Sequence, residues 1–248
     1  MEKTEYVPLY TASPADATRY GEKELWDRSF RENVCCARAI EKAIRDSVEN
    51  GDGEHIQPDC AGQVLDDYGF KRTCFVLAHS IRTLGPLVKA SKEAETWSWQ
   101  FDCSRDADYG RYYRADTALS SLEEFIGQVQ TAYQSLGLLG SEQCDPAAWE
   151  ESLVGRVLVL SPNTLRESCW SDKNMLWLAT GGFGTEPKSR GRAVYATCLD
   201  DGEETRWNRE DFLGVLDEKF LPDWAREKLA VLRPAEQEQG AYLALGQC

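Results

Sequence analysis

The chain predicts an α+β protein with a helical domain over residues 1–140, an acidic linker over 141–152, a small α+β domain with an antiparallel sheet over 153–233 and a flexible tail over 234–248. Three observations carry that expectation. Through much of the first half, apolar residues recur at three- and four-residue steps, the spacing that lines one side of an α-helix. From residue 175 to 214 the pattern changes to short β-branched, aromatic and apolar runs around a loop with four glycines and the turn Asp200-Asp201-Gly202. The third is capacity: 248 residues, 42% of them hydrophobic and eight of them Trp, can fill a real core.

In chain order, Ser13-Pro14-Ala15-Asp16 reads as a helix cap followed by proline at the first helical position, and Gly21 ends that helix. Trp26, Phe30, Val34, Ala37, Ile40, Ile44 and Val48 predict a long amphipathic helix over 24–50. A second helix opens at Gln57-Pro58-Asp59 and closes at Gly69; a third over 70–83 has so little polar surface beyond Lys71, Arg72, Ser80 and Arg82 that it is expected at the centre of the domain. TWSWQF reads as strand-like or as an extended cover, and Leu119, Leu122, Phe125, Ile126, Val129 and Tyr133 restore a helix over 117–139.

Beyond the acidic connection, strands are expected over 154–160, 175–180, 192–199 and 203–207. Ser161-Pro162 reads as a short helix start, Asn208-Arg209-Glu210-Asp211 as a cap, and 221–232 as a last helix. Phe70, Val76, Leu77, Phe125, Ile126, Val129, Leu158, Leu178 and Tyr195 are the expected core.

Charge is the compositional extreme. The formal net charge is −14, and residues 1–152 hold 16 Lys and Arg against 27 Asp and Glu, a net of −11. Such a surface repels phosphates, which disfavours broad duplex binding, and it either keeps the chain in solution or meets a basic partner. Nine scattered cysteines with no CxxC pair and only two histidines read as free thiols, and no cofactor or metal site is expected. The opening MEKTEYVPLY lacks the pattern of a signal peptide and no apolar run is long enough to span a bilayer, so a cytoplasmic protein without a membrane role is expected.

Candidate sites are few. Glu41, Asp46, Glu49, Asp66, Asp67, Glu123 and Glu124 are the candidate acidic face for a partner. Arg105, Tyr109, Arg111, Tyr112, Tyr113 and Arg114 offer rings and cations to a single strand of nucleic acid, although interleaved acids favour tyrosines packed on the domain. Gly181, Gly182 and Gly184, followed by Lys188, Arg190 and Arg192, offer a backbone nest for phosphate; the Walker spacing is absent, and a hairpin shaped by glycine accounts for the same residues. His79 reads as a packed histidine hydrogen-bonded to backbone, since no Ser-His-Asp or Cys-His-Asx grouping stands near it.

The segments VPLY, ENVCCARAIEKAIRDSV, YGFKRTCFVLAHSIR, TWSWQF and LEEFIGQVQTAYQSLGL resemble a family of uncharacterised helical domains encoded by conjugative transposons of gut Firmicutes. LWLATGGFGTEPKSRGRAVYATCLDDGEETRWNREDFLGVLDEKFLPDWA resembles another, glycine-rich module of the same mobile elements. The resemblance implies a role in the transfer, maintenance or protection of mobile DNA and assigns no catalytic residue. The leading expectation is therefore a non-enzymatic, acidic counter-defence protein of anti-CRISPR or anti-restriction type, its partner a basic nucleic-acid-handling protein such as a nuclease effector. The alternatives are an accessory module that binds nucleic acid or a DNA-processing complex during conjugation, and an enzyme using His79 or a cysteine.

Overall fold

The computed structural model describes residues 7–85, 88–101 and 112–232. The chain forms two compact units that divide between Ser135 and Leu136. The first is helical and the second is built on a six-stranded antiparallel sheet, the α+β arrangement expected from the sequence.

In the helical unit, α1 (Pro14–Arg19) begins as its sequence dictates, with Ser13 Oγ accepting from Asp16 N at 3.1 Å. Next, α2 (Lys23–Glu49) turns Trp26, Cys36, Ala37, Ile40 and Ile44 inward. The following helix, α3 (Gly62–Arg82), packs against α2, α4 (Lys92–Ser98) and α5 (Leu119–Ser135). The two helices expected around Gly69 run together as α3, with a kink at Gly69, whose φ of 77° and ψ of 167° are open to glycine and costly for other residues. Every residue from Arg72 to Ile81 is buried, so α3 is the centre of this unit.

Two expectations are corrected here. Arg72 and Ser80 are buried rather than surface groups. The Arg72 guanidinium donates to Ser29 O at 3.0 Å, to Asn33 Oδ1 and to Val7 O at 2.7 Å, sewing the entry segment and α2 onto α3. And TWSWQF is no strand: Ser91 Oγ caps α4 through Ala94 N at 3.1 Å, and Trp97 goes inward from that helix. The cap and the acids Glu93 and Glu95 in the first turn outweigh the β propensity of two tryptophans.

The second unit contains β1 (Cys144–Asp145), β2 (Val157–Leu160), α6 (Asp172–Met175), β3 (Leu176–Gly181), β4 (Ala193–Cys198), β5 (Glu204–Asn208), β6 (Phe212–Leu216) and α7 (Asp223–Leu232). Strands β2 to β5 form a meander, and β6 returns to the free side of β2 with β1 beyond it, giving the order β1-β6-β2-β3-β4-β5. The Asp200-Asp201-Gly202 turn closes the β4–β5 hairpin, with Gly202 at φ 79°.

Residues 141–152, expected as a linker, contribute β1 and two 3₁₀ turns. Residues 161–165 form turns rather than a helix start. One sheet face packs Leu158, Leu160, Trp177, Val194 and Phe212; on the other, Val157, Val159, Leu176 and Leu178 meet Ala225 and Leu229 of α7. Burial on both faces explains why β2 reads as the unbroken apolar run VLVL.

Most of the expected core is buried: Val76, Leu77, Phe125, Ile126, Val129, Leu158 and Leu178. Phe70 is only half-buried, its ring meeting Tyr133 edge-on at 5.9 Å. Tyr195 is 52% exposed. Along β4, Val194, Ala196 and Cys198 point inward, so the alternation of a strand turns Tyr195 outward.

Candidate functional site

Two surfaces gather the candidate side chains. The first is one end of the helical unit, where α2 finishes, a loop follows and α3 starts. Residues 41–67 carry Glu41, Asp46, Glu49, Asp52, Glu54, Asp59, Asp66 and Asp67 against Lys42 and Arg45. The last turn of α2 holds Asp46 and Glu49 and no base, against the sign its macrodipole favours, at a cost of about 0.3–1 kcal/mol per charge at low salt.

The loop is strapped to α5. Glu124 Oε1 meets His55 Nδ1 at 2.7 Å and Glu124 Oε2 accepts from Ile56 N at 3.0 Å, while Gln128 accepts from Ala61 N at 3.1 Å. His55 is held above its ordinary pKa chiefly by the hydrogen bond to Glu124, whose own pKa is lowered by the same contact. Asp52 Oδ1 accepts from Glu54 N and His55 N at 2.9 and 2.8 Å, and its pKa falls accordingly.

The seven acids of the expected partner face have unlike surroundings. Glu41 accepts from Asp116 N and Glu123 from Ser91 N, each at 2.7 Å, so these two, with Glu124, anchor three separate connecting segments. Asp46 pairs with Lys42, and Asp67 accepts from Gln63 at 2.9 Å. Glu49, Asp66 and Asp67 are exposed, and Glu54, absent from the sequence-based set, is exposed beside them in chain order. The signal for Glu54 was the acid density of the loop itself.

The second surface is the loop from β3 to β4. At Gly182, with φ 103°, a Cβ would stand 2.4 Å from Ala193 O, and at Gly184 one would stand 2.3 Å from Arg192 O. Glycine therefore lets this loop lie flat against β4. Thr185 Oγ1 donates to Gly182 O at 2.7 Å and Arg209 Nη1 to Gly184 O at 3.0 Å, pinning the turn from both sides. Phe183, on its crest, is 77% exposed. Lys188 and Arg190 are exposed, whereas Arg192 holds Glu210 through contacts of 3.1 and 3.0 Å. Arg209 also stacks over Trp149, 4.5 Å from its ring centre.

The arginine and tyrosine stretch divides. Arg105, Tyr109 and Arg111 lie outside the described residues. Tyr112 is exposed and meets Phe30 edge-on. Tyr113 is fully buried, in ring contact with Phe30, Phe75 and His79, and Arg114 donates to Thr83 O at 3.1 Å. Tyr113 is thus a core residue and offers no face to a base.

His79 is buried as expected, but its partner is a side chain: Nε2 lies 3.3 Å from Tyr113 Oη. Burial first, and then Arg82, push its pKa down to about 4. Burial pushes the Cys36 thiol up to about 12 and Cys144 up to about 11, away from the thiolate that nucleophilic chemistry needs. Cys35, Cys36, Cys60, Cys144, Cys169 and Cys198 are free thiols, Cys74 is buried, and Cys103 and Cys248 lie outside the described residues. Among the described residues no three His, Cys, Asp or Glu side chains converge to hold a metal, and no helix is long and apolar enough to cross a membrane. In the second unit a cavity of about 470 Å³ opens between α7 and the sheet, lined by Val157, Leu178, Leu216, Leu221 and Leu229 with Arg156 and Glu218 at its rim.

Residues 9–134 match the family described as Protein of unknown function (DUF3849), and the chain belongs to that family. No curated protein and no solved structure matches the chain.

Proposed function

We propose that this member of the DUF3849 family acts by stoichiometric binding rather than catalysis, its acidic helical unit engaging a basic protein that handles nucleic acid. The observation that supports this reading most directly is the charge of residues 41–67, eight carboxylates against two cations at one end of the bundle. An arrangement that opposes a helix macrodipole and crowds like charges costs stability, and such violations of local rules concentrate where a surface has work to do. The complementary partner is a positively charged nucleic-acid groove, which the acidic end would occupy in competition with phosphates.

The sequence resemblance to domains of conjugative transposons supports a finer version: counter-defence for a mobile element, by inhibition of a CRISPR or restriction nuclease. The test is a titration of the purified chain into a purified effector of that kind while cleavage is followed. Inhibition that completes near equimolar ratio is the expected outcome. Inactivation that continues at a small fraction of equimolar chain would sink the reading in favour of an enzyme, and failure to bind any such effector would remove the counter-defence version.

A further inference from the structure

We propose that the β3–β4 loop and the adjoining outer face of β4 and β5 form a docking surface for single-stranded nucleic acid, with bases stacked on Phe183 and Tyr195 and phosphates met by Lys188, Arg190 and Arg206. This surface lies in the second unit and is independent of the acidic end.

The rings are displayed by a backbone that has little room to rearrange. Phe183 stands between Gly182 and Gly184, both held against β4 by approaches that admit no side chain, and Leu153 N donates to Thr185 O at 2.9 Å beneath the same turn. Phe183 is 77% and Tyr195 52% exposed, and a Cβ at Gly182 would lie 3.1 Å from the Tyr195 ring, so the second aromatic borders the loop that carries the first. A large apolar ring fixed in water is unfavourable for the free chain, and a pre-formed display lowers the ordering cost of binding.

The cations flank the rings in sequence and in strand register. Residues 187–199 contain Lys188, Arg190 and Arg192 and no carboxylate, in a chain whose formal charge is −14. Arg206 sits directly opposite Tyr195 in the β4–β5 register. Arg192 is engaged by Glu210 and Glu186 accepts from Ser152 at 2.8 Å, while Lys188, Arg190 and Arg206 are exposed, with the exposed Glu204 two residues from Arg206 on the same side of β5.

Exposed π-faces beside cations match a strand whose bases are open and whose phosphates repeat; a duplex hides the base faces, and an acidic peptide has charge but no planes to stack. At physiological salt, screening over about 8 Å lets this local field act despite the negative total.

The test is fluorescence anisotropy of the full chain with a labelled oligothymidylate of about a dozen nucleotides, at salt from about 50 to about 200 mM. Binding is expected to weaken with salt with a logarithmic slope of about −2, for three phosphates met. Phe183→Ala and Tyr195→Ala should each weaken it about tenfold. Lys188→Glu with Arg190→Glu should flatten the salt dependence. Since all four side chains are exposed, the thermal transition of each variant should match the parent and serve as the folding control. Absence of binding at low salt, or binding indifferent to these substitutions, would overturn the proposal. So would equal competition by polyglutamate, which would assign the surface to an acidic polypeptide, or by a duplex of the same length.

Discussion

His79 and His55 titrate in opposite senses, and the difference lies in what surrounds each ring. His79 is walled by Phe75 and Tyr113, and its pKa falls from the ordinary 6.5 to about 4. Between those values the unfolded chain binds a proton that the folded chain does not, so stability is fully present above about pH 6.5 and is lost as pH falls toward 4. At about 1.4 kcal/mol per unit, the loss approaches 3 kcal/mol. Denaturant midpoints of the parent and of His79→Gln, followed from neutral pH downward, check this: the parent should soften through that window and the variant should lose that part of the slope. A parallel decline in both would place the acid sensitivity elsewhere. His55 behaves the other way, because Glu124 raises its pKa: whatever the pair contributes is present below the unfolded pKa and is lost as pH rises through the folded one.

At the scale of elements, glycine placement divides the helices into positions where a side chain is ruinous and one where it is welcome. Gly69 sits at φ 77° and ψ 167° inside α3, where any other residue is strained by about 1–3 kcal/mol. Gly127 lies within α5 with nothing within 4 Å of a Cβ built on it. Gly69→Ala should therefore lower the denaturation midpoint, while Gly127→Ala should raise stability by about 0.5–1 kcal/mol; equal shifts of one sign would refute the kink as the cause. The kink was legible beforehand as a helix end at Gly69, and the hairpin at Asp200-Asp201-Gly202 was legible because both depend on neighbours in sequence. Strand β6 was not, since its edges are set by pairing with Val159 and Leu160 about fifty residues earlier, and FLGVL alone only looks apolar. Residue type alone places Tyr195 in the core, whereas the inward alternation of Val194, Ala196 and Cys198 turns it outward. The burial of Arg72 has no local signal, because its acceptors on Val7, Ser29 and Asn33 lie 65, 43 and 39 residues away. Of the acidic set, composition gave the density of charge, whereas the use of Glu41, Glu123 and Glu124 as anchors for loop N–H groups exists only in the fold.

For the whole molecule, the question is whether the negative charge acts as a general solubility device or as a directed surface, and the anchoring carboxylates decide which residues can answer it. Reversing Glu41, Glu123 or Glu124 would release connecting segments and confuse binding with folding. Glu49, Glu54, Asp66 and Asp67 are exposed and free of that role, and changing the four to lysine moves the formal charge from −14 to −6, two units for each reversal. If the acidic end steers the chain onto a basic effector, the variant should associate at least about tenfold more slowly at low salt, and the two rates should converge as salt rises, because steering is screened while short-range contacts persist. Stopped-flow association with a purified nuclease effector over a salt series measures both. A control with four lysines placed at exposed acids of the second unit, such as Glu203, Glu204, Glu218 and Glu227, carries the same net charge. Should that control slow association as much as the directed variant, total charge alone would account for the effect and the acidic end would have no special part in recognition.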